Sequence, residues 1–322
     1  MALLLDSSEG RLLASPHGWA HEDSLMLLDT RTDMSTTIPI APSKFVMMER
    51  GSSSHFLLNY CEPKGYASVR LIEVRPFDSP TQVVSRCRIS PSSIQLEGDL
   101  NVWERLPRAH VVDLGPEGGD FAYVVWLHPK AGVGDWIPLT WWNDESYDRG
   151  YQSVLSAVEI PGTDKVIIPV QRDSCPIIFD LRERRAVGRI TLSERRGNPR
   201  LFFRRLAPEV WADDYDTLVR LDSKGLVKTG SVLLQPSDAS GARQFIGDFA
   251  FATNEGVCAV ARPFSGDILA VDPETLRPVA HAKVRGQPFT VAVLSNGKVY
   301  SQDWHSGRLL KGQLSAGSPP NV

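Results

Sequence analysis

The chain has 322 residues, 42% of them apolar, which is enough to bury a sizeable core in a large domain. Its net charge of −3 excludes a general affinity for nucleic acid or for anionic membranes. The opening "MALLLDSSEGR" has an apolar run too short for a signal peptide, and no segment could span a membrane. The four cysteines are widely spaced, so we expect free thiols and a cytoplasmic protein.

Seven similar hairpins follow one another along the chain. Each has two short apolar strands joined by a turn, and most of these turns are rich in Gly, Ser or Asn. This pattern predicts an antiparallel strand pair. The hairpins lie at 3–15, 45–60, 111–127, 155–170, 202–212, 249–261 and 291–302.

A second type of hairpin alternates with the first. It has an apolar run, an aspartate at the turn entry, a polar turn and a second strand. Copies lie at 25–40, 177–192, 218–234 and 268–284, with Asp29, Asp180, Asp222 and Asp272 at the turn. Such an aspartate can accept a hydrogen bond from the backbone amide two residues on, which fixes where the strand ends.

One hairpin of each type makes a four-stranded unit of about 40–50 residues, which is the period of a propeller blade. No segment has the period of a long amphipathic helix. The sequence therefore predicts an all-β fold, a seven-bladed β-propeller of four-stranded antiparallel blades, as a single domain over residues 1–322. Insertions are expected around 90–108 and 141–152.

The stretch "ILAVDPETLRPVAHAKVRGQPFTVAVLSNGKVY" (268–300) resembles a YVTN-type repeat, from a propeller superfamily related to WD40 proteins. It departs from WD40 proper because no strand ends in Trp-Asp and no Gly-His opens a repeat. The resemblance implies a propeller fold, with ligands bound at the central mouth on one face. Single-domain propellers of this kind include lactonases and a lyase. We call the loops of that face the rim: they join the second strand of a blade to the third, and one blade to the next.

The predicted rim carries four of the seven histidines together with many carboxylates, arginines and aromatic residues. A neutral histidine beside a carboxylate can transfer a proton near pH 7, and arginine can bind an anionic group. The candidate catalytic residues are His128 and His305 for proton transfer, with Asp303, Asp213 and Asp173 as orienting carboxylates. The candidate substrate-binding residues are Arg172, Arg262, Tyr60, Glu62, Trp142, Trp304 and His17.

These residues favour an acid–base hydrolase or lyase acting on a small anionic or cyclic molecule. The sequence-local catalytic motifs are absent, so the reacting groups would come from several blades. No cofactor is required by this chemistry. A divalent metal is the open alternative, because His17, His128 and His305 with Asp303 or Glu62 would give a nitrogen–oxygen ligand set.

A non-catalytic scaffold is the alternative function. It would bind a protein or peptide partner through the same rim, with Trp142, Tyr147 and Trp304 as anchors. A heavy subunit resembling that of quinone-dependent amine dehydrogenases ranks last, since those subunits are exported. We prefer the enzyme to the scaffold because the rim is rich in histidine, carboxylate and arginine together.

Overall fold

The computed structural model describes backbone and side chains at 3–5, 8–14, 25–38, 157–169, 175–192, 199–234 and 244–316. It describes the backbone alone for the strand residues at 22–24, 39–43, 46–50, 55–62, 66–73, 82–90, 93–98, 109–113, 123–127, 135–138, 170 and 173–174. All regular secondary structure in these ranges is β-strand, and they contain no helix that could span a membrane.

The first three sheets follow one another in chain order. The first sheet contains β1 (Leu3–Leu5), β2 (Arg11–Ala14), β3 (Glu22–Asp29) and β4 (Ser35–Ser43). The second contains β5 (Val46–Arg50), β6 (His55–Glu62), β7 (Tyr66–Glu73), β8 (Gln82–Ser90) and β9 (Ser93–Gly98). The third contains β10 (Ala109–Asp113), β11 (Tyr123–Leu127) and β12 (Asp135–Pro138).

The remaining four sheets continue the order. The fourth contains β13 (Val158–Glu159), β14 (Lys165–Val170), β15 (Asp173–Asp180) and β16 (Arg185–Arg189). The fifth contains β17 (Leu201–Arg204), β18 (Glu209–Asp214), β19 (Thr217–Asp222) and β20 (Lys228–Leu233). The sixth contains β21 (Asp248–Phe251), β22 (Cys258–Arg262), β23 (Asp267–Asp272), β24 (Arg277–Lys283) and β28 (Ser315–Ala316), and the seventh β25 (Ala292–Val293), β26 (Lys298–Gln302) and β27 (Leu309–Gln313).

The seven hairpins predicted from the sequence are confirmed as the first two strands of these sheets. Every strand pair among the described residues is antiparallel, as in β17 with β18 and β21 with β22. The last sheet differs from a full four-stranded unit, because after β27 the chain pairs with β24 of the sixth sheet as β28. Of the insertions expected around 90–108 and 141–152, only 93–98, as β9, lies inside the described residues.

The aspartate-capped turns are confirmed as well. Asp29, Asp180 and Asp272 each accept a hydrogen bond from the amide two residues on, at 2.8, 2.9 and 2.8 Å. Asp222 instead accepts its bond from the amide of Gly225, three residues on, at 2.6 Å. The fourth residue after each aspartate has a φ of 54–60°, in the left-handed region. The aspartate therefore holds a five-residue turn whose last residue reverses the chain.

The apolar core is divided among contacts between consecutive sheets. Ile167 of the fourth sheet packs with Val210 of the fifth, and Trp211 of the fifth packs with Val260 of the sixth. Further clusters join the sixth sheet to the seventh and the first to the seventh, the latter through Leu12 and Tyr300. Among the described side chains, apolar packing therefore joins the fourth sheet to the fifth, the fifth to the sixth, the sixth to the seventh and the seventh to the first.

The first and seventh sheets also share polar contacts. Lys298 Nζ donates to the backbone oxygen of Thr30 at 2.8 Å and lies 3.0 Å from Asp33 Oδ1. The hydroxyl of Tyr300 donates to Asp33 at 2.8 Å. The hydrogen bonds from Lys298 and Tyr300 outweigh partial burial and lower the pKa of Asp33 to about 2. The two ends of the described chain are thus joined by a charged hydrogen-bond network as well as by apolar packing.

The capped turns give a direct test of the fold. Replacing Asp272 with alanine removes the acceptor for the amides of Glu274 and Thr275, so the free energy of unfolding should fall by about 1–2 kcal/mol. Asp272→Asn keeps a side-chain oxygen and should retain most of that stability. Urea unfolding followed by tryptophan fluorescence measures both. Equal stability of Asp272→Ala and the wild type would contradict the assigned role.

Candidate functional site

Five aromatic side chains meet at the rim of the fifth, sixth and seventh sheets. The ring of Phe245 lies at the centre, with its centroid 5.1 Å from Trp304, 5.2 Å from Phe264 and 6.0 Å from Tyr215, all edge-to-face. Phe289 stacks on Trp304 with centroids 5.9 Å apart. These are the separations of attractive aromatic pairs. We call these five residues the aromatic belt.

The belt residues lie in equivalent loops of the three sheets. Tyr215, Phe264 and Trp304 lie in the turns between the second and third strands of their sheets, β18–β19, β22–β23 and β26–β27. Phe245 and Phe289 each lie three residues before the first strand of a sheet. The backbones there are in close contact, because a Cβ at Gly247 would collide with the carbonyl of Phe289. These are the loop types that define the rim.

Part of the belt is open to solvent. Phe264 is 44% exposed, while the other four rings are half-buried. The exposed imidazole of His305 stacks on Trp304, with centroids 5.1 Å apart. On the other side the guanidinium carbon of Arg200 lies 5.3 Å from the centroid of Phe289, in a cation–π arrangement. The belt is therefore an apolar surface with a partly exposed edge.

Two carboxylates lie beside Arg200. Asp213 is buried and accepts a hydrogen bond from the Arg200 amide, and Arg200 Nη1 lies 3.3 Å from Asp248 Oδ1. Burial raises the pKa of Asp213 to about 7, against the opposing effect of Arg200, and burial also raises the pKa of Asp248. Arg200 thus lies beside two carboxylates and offsets the cost of burying them. With a pKa of about 7, Asp213 is partly protonated near neutral pH.

Asp303, the predicted orienting carboxylate, holds the backbone of the rim. It accepts hydrogen bonds from the amides of Gln287 and His305, at 2.8 and 3.2 Å, and from the amide and hydroxyl of Ser306, both at 2.8 Å. These bonds outweigh partial burial and lower the pKa of Asp303 to about 2. Asp303 bonds to the His305 backbone, and the imidazole stacks on Trp304. With Gly307 at a φ of 66°, this is another copy of the capped turn.

Arg262, a predicted substrate-binding residue, is only 1% exposed. Its Nε and Nη2 donate to the two carboxylate oxygens of Asp267 at 2.8 and 2.6 Å, and its Nη1 donates to the backbone oxygen of Leu234 at 3.1 Å. All three nitrogens are therefore engaged inside the protein. This is the geometry of a structural ion pair within the sixth sheet, and the hydrogen bond from Arg262 to Leu234 joins that sheet to the end of the fifth.

The other predicted site residues cannot be placed in the same way. His17, His128, Trp142 and Arg172 lie outside the described residues, as does Tyr147. For Tyr60, Glu62 and Asp173 only the strand backbone is described, in β6 and β15. Where side chains are described, no three His, Cys, Asp or Glu residues gather into a metal-binding group. The metal alternative involved His17 and His128, so it stays a prediction.

Comparison with known proteins identifies the fold. No protein-family model and no curated protein matches the chain. Among solved structures, the Myceliophteria thermophila Cps50 (Swd1) β-propeller domain is 12% identical, with 98% of this chain and 96% of that chain covered and a TM-score of 0.67. A chain of the Mitotic Checkpoint Complex is 6% identical, with coverages of 98% and 87% and a TM-score of 0.62. The protein is therefore an all-β propeller, and its resemblance to YVTN repeats stays a prediction.

The prediction of a hydrolase or lyase acting on a small molecule was wrong. The similar structures are the Cps50 (Swd1) β-propeller domain and a chain of the Mitotic Checkpoint Complex, and they favour the alternative of a non-catalytic scaffold. The geometry of the rim is consistent with this correction. Asp303 and Asp213, two of the proposed catalytic carboxylates, bind backbone amides of the rim loops.

Sequence reasoning missed four of the five belt residues, which are Tyr215, Phe245, Phe264 and Phe289. Phe264 stood within the predicted rim loop "RPFSGD" but was not counted as a binding residue. Phe245 and Phe289 occupy the same offset before β21 and β25, so aligning the repeats by their strands would have paired them. Their convergence on Trp304 depends on how neighbouring sheets pack, which no local motif encodes.

The raised pKa of Asp213 gives a test of the rim electrostatics. Its folded pKa of about 7 exceeds the ordinary value of 3.8, so the folded state binds this proton more tightly and loses stability as pH rises from about 4 to 7. Asp213→Asn keeps an acceptor for the Arg200 amide but does not titrate. The variant should gain stability relative to the wild type by on the order of 1 kcal/mol per pH unit across that window. Urea unfolding at several pH values measures this, and parallel profiles would contradict it.

Proposed function

We propose that this protein is a non-catalytic WD40-like scaffold that binds a protein or peptide partner through its rim. The observation that carries the proposal is the aromatic belt, which draws rings from three consecutive sheets to one place and leaves Phe264 exposed. Exposed aromatic residues and arginines are the residue types that dominate binding energy at protein interfaces. The function is thus assigned to a contiguous surface.

Three other exposed apolar side chains lie away from the rim. Leu206 is 71% exposed in the turn between β17 and β18, and Met34 and Val227 are exposed in turns between third and fourth strands. Each of these turns lies at the end of its sheet opposite the rim, and isolated apolar residues of this kind are normal. Phe264 differs because it continues into Phe245 and Trp304. The exposed ring of Phe264 is therefore the edge of a larger packed apolar surface.

The comparisons support the same function. A chain with this fold belongs to the Mitotic Checkpoint Complex, which is an assembly of proteins. The rim carboxylates support it too, because the charged groups of Asp303 and Asp267 are used to hold loops and strands together. A partner protein rather than a small substrate is the ligand we propose, and a cytoplasmic location stays a prediction.

The belt gives the first test of this function. Phe264→Asp places a charge on the exposed ring position and should reduce capture of the specific partner at least about tenfold, since one hot-spot side chain contributes 1.4 kcal/mol or more. Leu206→Asp is the matched control, because Leu206 is more exposed and lies at the opposite end of its sheet. Affinity capture of the tagged chain from cell extract, quantified by mass spectrometry, compares the two. Equal losses, or none, would contradict the proposal.

We also propose that the seven sheets close into a seven-bladed ring. Glu255, in the turn between β21 and β22, accepts hydrogen bonds from the amides of Arg205 and Leu206 in the fifth sheet at 3.1 and 2.8 Å. Glu9, in the turn between β1 and β2, accepts them from the amide and hydroxyl of Ser295 in the seventh sheet at 2.9 and 2.6 Å. Both glutamates have a left-handed φ, 57° at Glu9 and 53° at Glu255. The first sheet thus meets the seventh as the sixth meets the fifth, which supports closure.

Ring closure predicts that Glu9 and Glu255 contribute about equally to the stability of the fold. Each replacement by alanine should lower the free energy of unfolding by about 1 kcal/mol, because each leaves two donors in the neighbouring turn without an acceptor. Both variants should still unfold in a single transition with the wild-type denaturant dependence. Thermal and urea unfolding measure this. Destabilisation by Glu255→Ala with none by Glu9→Ala would show that the first and seventh sheets do not close the ring.

A further inference from the structure

Three exposed cations lie in or next to the rim loops that carry the belt. Lys283, 61% exposed, ends β24; Arg285 lies in the loop between β24 and β25; and Arg308 directly precedes β27. We call Lys283, Arg285 and Arg308, with Phe264, Trp304 and His305, the basic rim patch. It combines a positive border with an exposed aromatic edge.

The loops that carry this patch are in direct contact. The amide of Trp304 donates to the backbone oxygen of Gln287 at 2.8 Å, and the amide of Gln287 donates to Asp303 at 2.8 Å. The amide of Val284 donates to Gly266 at 3.4 Å, which joins the loop after β24 to the turn that holds Phe264. These contacts bring the positions of the three cations into neighbouring loops, next to the turns that carry Phe264 and Trp304.

The nearby carboxylates do not neutralise this surface. Asp267 is fully buried and its two oxygens are bound by Arg262, while Asp303 accepts four hydrogen bonds within the rim. Lys283 Nζ is 4.0 Å from Asp267, which is a weak contact. Within the described part of the chain, Arg285 and Arg308 form no ion pair with a carboxylate. A locally positive surface thus stands on a chain of net charge −3.

We propose that the basic rim patch binds an acidic segment of a partner protein that carries one large apolar side chain. The apolar side chain packs on Phe264 and Trp304, and carboxylates of the segment pair with Arg285, Arg308 and Lys283. This inference rests on the proposed scaffold function and names the chemistry of its partner. The guanidinium groups of Arg285 and Arg308 can each hold a carboxylate through two parallel hydrogen bonds.

An acidic protein segment fits the patch better than a nucleic acid does. Nucleic-acid sites gain their affinity from many phosphate contacts along a basic groove. The patch offers three exposed cations, and the chain as a whole is negative. The partly exposed rings supply what a protein segment uses, an apolar anchor beside complementary charge. The charges set the choice of partner and the rate of encounter, and the anchor sets the lifetime of the complex.

The test compares binding of the purified full chain to three probes by fluorescence anisotropy. The first is a pool of peptides rich in Asp and Glu with one Trp, Phe or Leu, the second is the same pool with Asn and Gln in place of the acids, and the third is a single-stranded oligonucleotide. We expect the acidic pool to bind at least about tenfold more tightly than the amide pool, with affinity falling as salt rises. Equal binding of the two peptide pools, or tighter binding of the oligonucleotide than of either, would overturn the inference.

Charge reversal locates the site. The double variant Arg285→Glu, Arg308→Glu should lose about tenfold or more in affinity for the acidic pool, and its salt dependence should shrink. Arg277→Glu is the matched control, because Arg277 is also exposed but starts β24 at the end far from the rim. Unchanged affinity in the double variant would overturn the inference.

The two proposals fail in different ways. If Phe264→Asp abolishes partner capture while the double charge variant captures the partner normally, the scaffold function stands and the acidic-segment inference is wrong. If neither variant changes capture, both are wrong. Loss of capture in both, with the Leu206→Asp and Arg277→Glu controls unaffected, supports both.

Discussion

The packing of each sheet against the next is the contact on which the rest of the structure depends. The core is divided into clusters that lie between sheets, so that Trp211 of the fifth sheet is buried by residues of the sixth, and Tyr300 of the seventh by residues of the first. Because the first three strands of the fifth, sixth and seventh sheets follow the same antiparallel order, packing brings the equivalent loops of these sheets to one face. The aromatic belt is a consequence of that repetition. Three of its rings lie in turns between second and third strands, and the other two lie just before first strands.

Several charged groups near the rim form internal ion pairs and hydrogen bonds that hold strands and loops together. Arg262 and Asp267 form a buried ion pair between strands, and Asp303 gathers two loops of the last sheets. Away from the rim, Arg204 forms ion pairs of the same structural kind. Its Nη2 atom lies 2.5 Å from Glu274 of the sixth sheet, and its Nη1 atom lies 3.4 Å from Glu209 of its own sheet. Breaking such a pair leaves an uncompensated buried charge, which is costly. Lys283, Arg285 and Arg308 keep exposed charge at the rim, and they are therefore the ones that we propose a partner uses.

Features set by short stretches of chain could be predicted from the sequence. The hairpins were predictable because their strand pairs and turns are contiguous, and the roles of Asp29, Asp180, Asp222 and Asp272 because each aspartate bonds within three residues. The site was not predictable in the same way. Asp303 has the residue type and loop position of a catalytic carboxylate, yet an aspartate at a strand end is also what a capped turn needs. Phe245 and Phe289 gave no local sign that they would meet.

The partner-binding role of the rim is the central claim, and crosslinking from Phe264 tests it most directly. A photoreactive phenylalanine analogue at position 264, expressed in cells and irradiated, reports what touches the exposed edge of the belt. The same analogue at Leu206 reports chance contacts at the opposite end of the fifth sheet. The account predicts one abundant crosslinked protein from position 264, absent from position 206, whose contact segment is acidic. Equal crosslinking from both positions, or none from position 264 above background, would contradict it.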